Sequence, residues 1–236
     1  MEQKILVSDE NYAELDVYFE ENGVRSVLLV CGKSISFLRI EQYFETLEER
    51  KGIKVIRFMD FQPNPIYESV VQGVKIFCEN ACDLIVAVGG GSAIDVAKCI
   101  KLYSNMNPKI NYLEQTIVPN EVKLLAVPTT AGSGSEATRY AVIYYKGEKQ
   151  SVVHESGIPC VVLMDAKALE TFCKNEKILS EMLKGDALKR FNKLVDASDE
   201  LSACTGTENF KMGFILGVQL MADCFKYDAT TIFKDI

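Results

Sequence analysis

Apolar residues along the chain alternate between two periods. Ser26-Val-Leu-Leu-Val-Cys31 is a short apolar run rich in strand formers, and it ends at Gly32-Lys33-Ser34. From Ile35 to Arg50 the spacing turns helical, through Phe37, Leu38, Tyr43, Phe44 and Leu47, and Gly52 stops it. Ile53 to Phe58 reads as the next strand, and residues 67–80 as a helix carrying Val70, Val71, Val74 and Phe77. Asp83-Leu-Ile-Val-Ala-Val88 is continuously apolar, the pattern of a strand covered on both faces of a parallel sheet. It runs into Gly89-Gly90-Gly91-Ser92 and a helix from Ala93 to about Tyr103. Lys123 to Val127 and Cys160 to Met164 are further apolar strands. Between them, Tyr140–Tyr145 and Gln150–Val153 flank a turn over Lys146–Lys149, the pattern of a β-hairpin.

Strand and helix in short alternation predict an α/β fold, a doubly wound, Rossmann-like parallel sheet with the hairpin attached. The character changes after Phe172. One amphipathic helix is expected from Ile178 to Leu201, interrupted at Gly185, and a second through Phe210, Phe214, Gly217, Met221 and Phe225. The expected division is an α/β domain over 1–172 and a helical tail, a hairpin of helices, over 173–236. In the tail Gly213 and Gly217 are four apart and let another helix approach closely. This stripe implies a contact within the chain, with a second copy, or with a helical partner.

The charge balance narrows the function. The 236 residues are 48% apolar and 25% charged, the proportions of a soluble globular protein, with a net charge of −7. Without clustered Lys and Arg no nucleic-acid surface is expected. The first ten residues are acidic and lack a long apolar core, so no export signal is read there, and no stretch is apolar for long enough to span a bilayer. The expected compartment is the cytoplasm, where the eight cysteines stay reduced. Cys78 and Cys82 share a helical face but lack partners for zinc.

Candidate chemistry sits in two loops. Gly89-Gly90-Gly91-Ser92 lets the backbone approach a bulky anion, and the helix that follows offers free N–H groups and the positive end of its dipole. Ser92 caps that helix or donates to a phosphate. A tight turn with nothing bound is the bland alternative. Pro128-Thr129-Thr130-Ala131-Gly132-Ser133-Gly134-Ser135-Glu136-Ala137-Thr138 gathers five hydroxyls and two glycines at the carboxyl end of a strand, where doubly wound sheets bind ligands.

The segment Val88–Lys98 and the segment Pro128–Thr138, preceded by Pro63-Asn64-Pro65, together resemble the signature segments of the iron-containing alcohol dehydrogenases. The resemblance covers roughly residues 4–172. The hairpin sequence looks like a subgroup associated with phosphonoacetaldehyde reduction. The resemblance implies a dinucleotide domain followed by an all-helical domain, and hydride transfer between NAD(P)H and a carbonyl held on a metal. It places Gly89, Gly90, Gly91, Ser92 and Asp95 at the pyrophosphate, Thr129, Thr130 and Ser133 at phosphate and ribose, and Lys149 against the cofactor. Gly32, Lys33 and Ser34 fall near the adenosine ribose. NAD-preferring members carry an acid there that repels a 2′-phosphate. These three positions hold none, and Lys33 would attract one, so NAD and NADP both remain open.

The resemblance also implies iron or zinc held by an aspartate and three histidines of the helical domain, acting as a Lewis acid. Gly185-Asp186-Ala187-Leu188-Lys189-Arg190 resembles the first ligand segment, but Arg190 stands where a histidine belongs, and a guanidinium has no lone pair to give. The chain has one histidine, His154, read as an exposed polar residue. No metal ligands are therefore assigned. The stretches Phe191–Leu201 and Phe210–Met221 resemble a small helical bacterial domain of unknown function, and a fusion or truncated product is the simplest account. Three readings follow: an NAD(P)-binding portion of an oxidoreductase, a non-catalytic nucleotide-binding or interaction module, or an enzyme completed in trans.

Overall fold

The computed structural model describes residues 3–8, 11–130, 133–165 and 177–193. The described chain forms β1 (Lys4–Ser8), α1 (Ala13–Glu21), β2 (Ser26–Cys31), a 3-10 turn (Lys33–Phe37), α2 (Ile40–Glu45), α3 (Leu47–Lys51), β3 (Lys54–Phe58), α4 (Tyr67–Glu79), β4 (Leu84–Gly89), α5 (Gly91–Tyr103), β5 (Lys123–Pro128), β6 (Tyr140–Tyr145), β7 (Glu148–Val153) and β8 (Val161–Asp165). Six strands make one sheet in the order β1-β8-β5-β4-β2-β3, and each neighbouring pair is parallel. β6 and β7 form a separate antiparallel hairpin.

Alternate side chains of the central strands feed two cores. Leu28, Val30, Ile85, Ala87, Leu124 and Ala126 pack with α4 and α5 on one face. Val27, Leu29, Leu84, Val86, Leu125 and Val127 pack with α1, α2 and α3 on the other. Burial on both faces is why these strands read as unbroken apolar runs rather than alternating ones. The predicted α/β, doubly wound class is the observed one.

Gly73 sets the approach of α4 to α5. A Cβ at this position would stand 2.9 Å from Phe58 Cε1 and closer still to Ile100. Overpacking of this kind costs about 1–3 kcal/mol. That exceeds the roughly 1 kcal/mol that alanine gains over glycine in a helix. Gly73→Ala is therefore expected to lower the urea midpoint, and a midpoint at or above wild type would contradict this packing.

Several boundaries differ from expectation. β1 and α1 were not expected, because β1 is a five-residue edge strand and α1 buries only Leu15, Tyr18 and Phe19. The single helix expected over Ile35–Arg50 is broken into the 3-10 turn, α2 and α3. Leu38 is extended, and Thr46 turns its hydroxyl back onto Gln42 O at 3.0 Å, a bond that bends helices. The hairpin turn is shorter than expected. Lys146 and Gly147 take φ of 53° and 81°, so β7 begins at Glu148. α5 begins at Gly91 rather than Ala93.

The chain divides into two compact units, Met1–Ala131 with Ser135–Lys174, and Gly132–Gly134 with Asn175–Ile236. In the second, helix runs over 177–182 and 185–193, with Gly185 at φ 61° at the break. Asp186 and Lys189 form an exposed i,i+3 pair there. The expected helix through Phe210 to Phe225, with Gly213 and Gly217, lies outside the described residues.

Candidate functional site

The chain leaves β2 toward β3 on one side of the sheet and leaves β4 toward β5 on the other. The crevice between β2 and β4 is thus the point where the strand order reverses, and such crevices hold ligands in open α/β sheets. Cys31 pairs with Val88, so Gly32-Lys33-Ser34 and Gly89-Gly90-Gly91-Ser92 leave adjacent strands at the same level. β5 ends on the far side. Gly89 pairs with Pro128, and Thr129 N–H donates to Gly89 O at 3.1 Å. Gly89 has φ of 153°, and a Cβ on it would meet Ala93 Cβ at 2.9 Å. Gly90 is the N-cap of α5 and has no side chain with which to cap it. A Cβ on Gly90 would fall 2.7 Å from Thr130 Oγ1. The glycines therefore keep open a floor of backbone amides, with Thr129 and Thr130 exposed along one side and Lys33 and Ser34 exposed along the other. No acid occupies the first turn of α5, so its dipole is open to an anion.

Asp95 lies one turn further along α5, buried, where the helix meets the hairpin. Its Oδ2 accepts from Val142 N–H at 3.0 Å, while Oδ1 has no hydrogen-bond partner. Burial pushes this carboxyl above its ordinary value, and the Val142 N–H and the nearby Lys98 ammonium pull it partly back. The charge of the exposed hairpin residue Lys149 acts on Asp95 in the same direction. Ser133 groups with the second compact unit, so of the second loop it is Thr129 and Thr130 that the first unit brings to the floor.

Lys98 was not singled out from the sequence. It is fully buried, and Nζ donates to Thr138 O at 2.6 Å and Tyr140 O at 2.7 Å. Burial lowers its pKa to about 8, against the attraction of Asp95. The available signal was a charged residue one turn beyond Asp95 on a helix whose other residues, Ser92 and Lys101 apart, are glycine or apolar. On its other side the hairpin is held by Tyr144 N–H, which donates to Pro65 O at 2.8 Å. The Pro63-Asn64-Pro65 segment, with Asn64 at φ 60°, thus acts as a brace for the hairpin.

His154 Nδ1 accepts from Ser156 N–H at 3.1 Å, which leaves the proton of the neutral ring on Nε2. Among the described residues no three His, Cys, Asp or Glu side chains converge as a metal would require. One imidazole in the whole chain, held in a local turn, does not fit a three-histidine site. No step is therefore derived through iron or zinc. The five described cysteines, Cys31, Cys78, Cys82, Cys99 and Cys160, are free. No helix among the described residues is long and apolar enough to cross a membrane.

A doubly wound sheet with an open glycine cradle at its switch point defines a class of α/β protein that binds phosphate-bearing ligands. The family is more specific. The family model of iron-containing alcohol dehydrogenases matches residues 2–166, and the chain belongs to that family. A family of unknown function matches residues 165–224. The chain is 30% identical over 164 residues to an NAD-dependent methanol dehydrogenase of Bacillus methanolicus, covering 66% of this chain and 42% of that protein. It is 35% identical over 155 residues to a probable alcohol dehydrogenase of Salmonella typhimurium, covering 64% and 38%. Among solved structures, a sulfoacetaldehyde reductase from Bifidobacterium kashiwanohense in complex with NAD+ superposes with a TM-score of 0.62 at 26% identity, covering 70% of this chain and 45% of that one. The chain thus spans about two fifths of the length of these curated relatives.

Proposed function

We propose that the first compact unit binds a nicotinamide dinucleotide across the β2–β4 crevice and serves as the nucleotide-binding portion of an alcohol or aldehyde oxidoreductase. The carrying observation is the floor at Gly90, which a single Cβ would fill against Thr130. In this reading Gly89, Gly90, Gly91 and Ser92 hold the pyrophosphate, Thr129 and Thr130 hold phosphate and ribose, and Lys149 approaches from the hairpin. Asp95 contributes to the same region while bonded to Val142. Relatives that act on alcohols, and a structural neighbour solved with NAD+, support the reading.

The test is titration of the whole chain with NADH and NADPH, followed by cofactor fluorescence. A dissociation constant in the micromolar range, about −8 kcal/mol, is expected. Absence of binding at millimolar cofactor overturns the proposal. The second reading, a nucleotide-binding module without chemistry of its own, is favoured by the single histidine. Assays of small aldehydes, phosphonoacetaldehyde among them, with added iron or zinc separate the two. Turnover by the chain alone supports an enzyme, turnover only with a second polypeptide supports completion in trans, and none supports the module.

The loop after β2 favours NADPH over NADH. It holds no carboxylate, Lys33 is exposed, and Glu41, the next acid along the chain, is paired with Arg57 at 2.7 Å. Gly32 is extended, with φ of −85° and ψ of 172°, and a Cβ there meets nothing nearer than Ser34 Oγ at 3.8 Å. Gly32→Asp is thus tolerated by the backbone and places a carboxylate where a 2′-phosphate would lie. It is expected to weaken NADPH by about tenfold or more while sparing NADH. Equal effects on both cofactors would remove this loop from the adenosine end of the site.

A further inference from the structure

We infer that Lys98 is a positioning residue for the nucleotide: it fixes the register of the hairpin on α5 and so holds Lys149 toward the glycine cradle. The inference rests on the reading of that cradle as a dinucleotide site. The outward edge of β6 carries three backbone groups, and each has a partner. Tyr140 C=O accepts from Lys98 Nζ at 2.7 Å, Val142 N–H donates to Asp95 Oδ2 at 3.0 Å, and Tyr144 N–H donates to Pro65 O at 2.8 Å. The first two bonds set a direction. As β6 advances from Tyr140 to Val142, its partner on α5 moves back from Lys98 to Asp95. Two strand residues cover about 6.6 Å and three helical residues about 4.5 Å. One further step carries Tyr144 toward the first turn of α5, which holds Gly91 and Ser92. Lys149 is the β7 partner of Tyr144, and its charge acts on Asp95.

Apolar contact alone does not define this register. Ala141, Ile143 and Val152 share a core cluster with α5, but hydrophobic burial has no direction and tolerates a small slide. Hydrogen bonds do not. Of the three ties on β6, the one at Tyr144 runs to the segment before α4, so only Lys98 and Asp95 fix the strand against α5. Lys98 has the stronger hold. Its Nζ also donates to Thr138 O at 2.6 Å, so one ammonium grips the chain at two points where it enters the hairpin. It is fully buried, and a slide of the hairpin would leave the ammonium without acceptors and out of reach of water.

A double-mutant cycle on NADPH affinity of the whole chain reads this role, with Lys33 on the other side of the crevice as control. In wild type, Lys149→Ala is expected to weaken NADPH by about tenfold. In the Lys98→Met background the same change should weaken it by less than about twofold, because Lys149 is already displaced. Lys33→Ala should act equally in both backgrounds. A role confined to stability predicts additivity at both lysines. An undiminished Lys149 effect in Lys98→Met overturns the inference, and so does a wild type indifferent to Lys149→Ala. If Lys98→Met does not fold, amide exchange in wild type decides. NADPH should slow exchange at Val142 and Tyr144 by about tenfold or more, and unchanged exchange there overturns the inference. A wild type that binds neither NADH nor NADPH overturns the dinucleotide site itself, and this inference with it. Binding with additive lysines overturns the inference alone.

Discussion

Gly90→Ala is expected to weaken NADPH binding by about tenfold to a hundredfold, with little change in thermal midpoint. The residue has φ of −80°, which any L-residue adopts, so the backbone does not resist alanine. The obstacle is steric and local, since the new methyl would lie 2.7 Å from Thr130 Oγ1. Thr130 is exposed, and its hydroxyl can turn away at small cost to the fold. Turning away removes a donor from the cradle, and the methyl takes the space in which a phosphate would meet the amides of α5. Hydrogen bonds to charged groups contribute about 1.5–3 kcal/mol, which corresponds to the fold-change given. Thr130→Ala relieves the clash but not the occupied floor. The double variant should therefore fold as well as wild type and still bind poorly. Wild-type affinity in Gly90→Ala, measured by fluorescence titration, would show that the pyrophosphate does not lie on this floor.

How much of this could be read beforehand depended on what each residue's neighbours do. β4 was legible because Leu84 to Val88 are buried on both faces and cannot alternate. The glycine loop was legible because its residues have no role except backbone geometry. β1 was missed because an edge strand with one covered face has only five residues in which to show a pattern. The stretch Ile35–Arg50 kept helical spacing through a region where the chain changes direction twice, since Ile35, Ile40, Tyr43, Phe44 and Leu47 all reach the same core from different short elements. Periodicity reports which side chains are buried, not whether the backbone between them is continuous. Lys98 was missed for a related reason. Its partners are the backbone carbonyls of Thr138 and Tyr140, 40 and 42 residues away, and carbonyls leave no trace in side-chain spacing.

That lysine carries the second large expected effect. Lys98→Met keeps the length of the apolar stem but removes the donors to Thr138 O and Tyr140 O and the cation beside Asp95. Two carbonyls are then left buried without this donor, and the Asp95 carboxyl keeps its Val142 N–H but loses a neighbouring cation. A loss of about 2–4 kcal/mol is expected near neutral pH, measured by urea unfolding. The dependence on pH has a definite sign. Burial lowers the folded-state value from the ordinary 10.5 to about 8, so between these pH values the unfolded chain binds the proton that the folded chain has released. Stability contributed by this group therefore rises with pH across that window, by up to about 3 kcal/mol. Methionine has no proton to exchange, so the gap between wild type and variant should widen from pH 8 to pH 10. Tyrosines and thiols that titrate in this range are common to both proteins and drop out of the difference. A gap that narrows with pH would mean that Lys98 is not the buried cation joining α5 to the hairpin. Amide exchange at Val142 gives an independent reading. Its N–H is held by Asp95 at 3.0 Å, and it should exchange faster in Lys98→Met if that lysine is what keeps β6 seated on the helix.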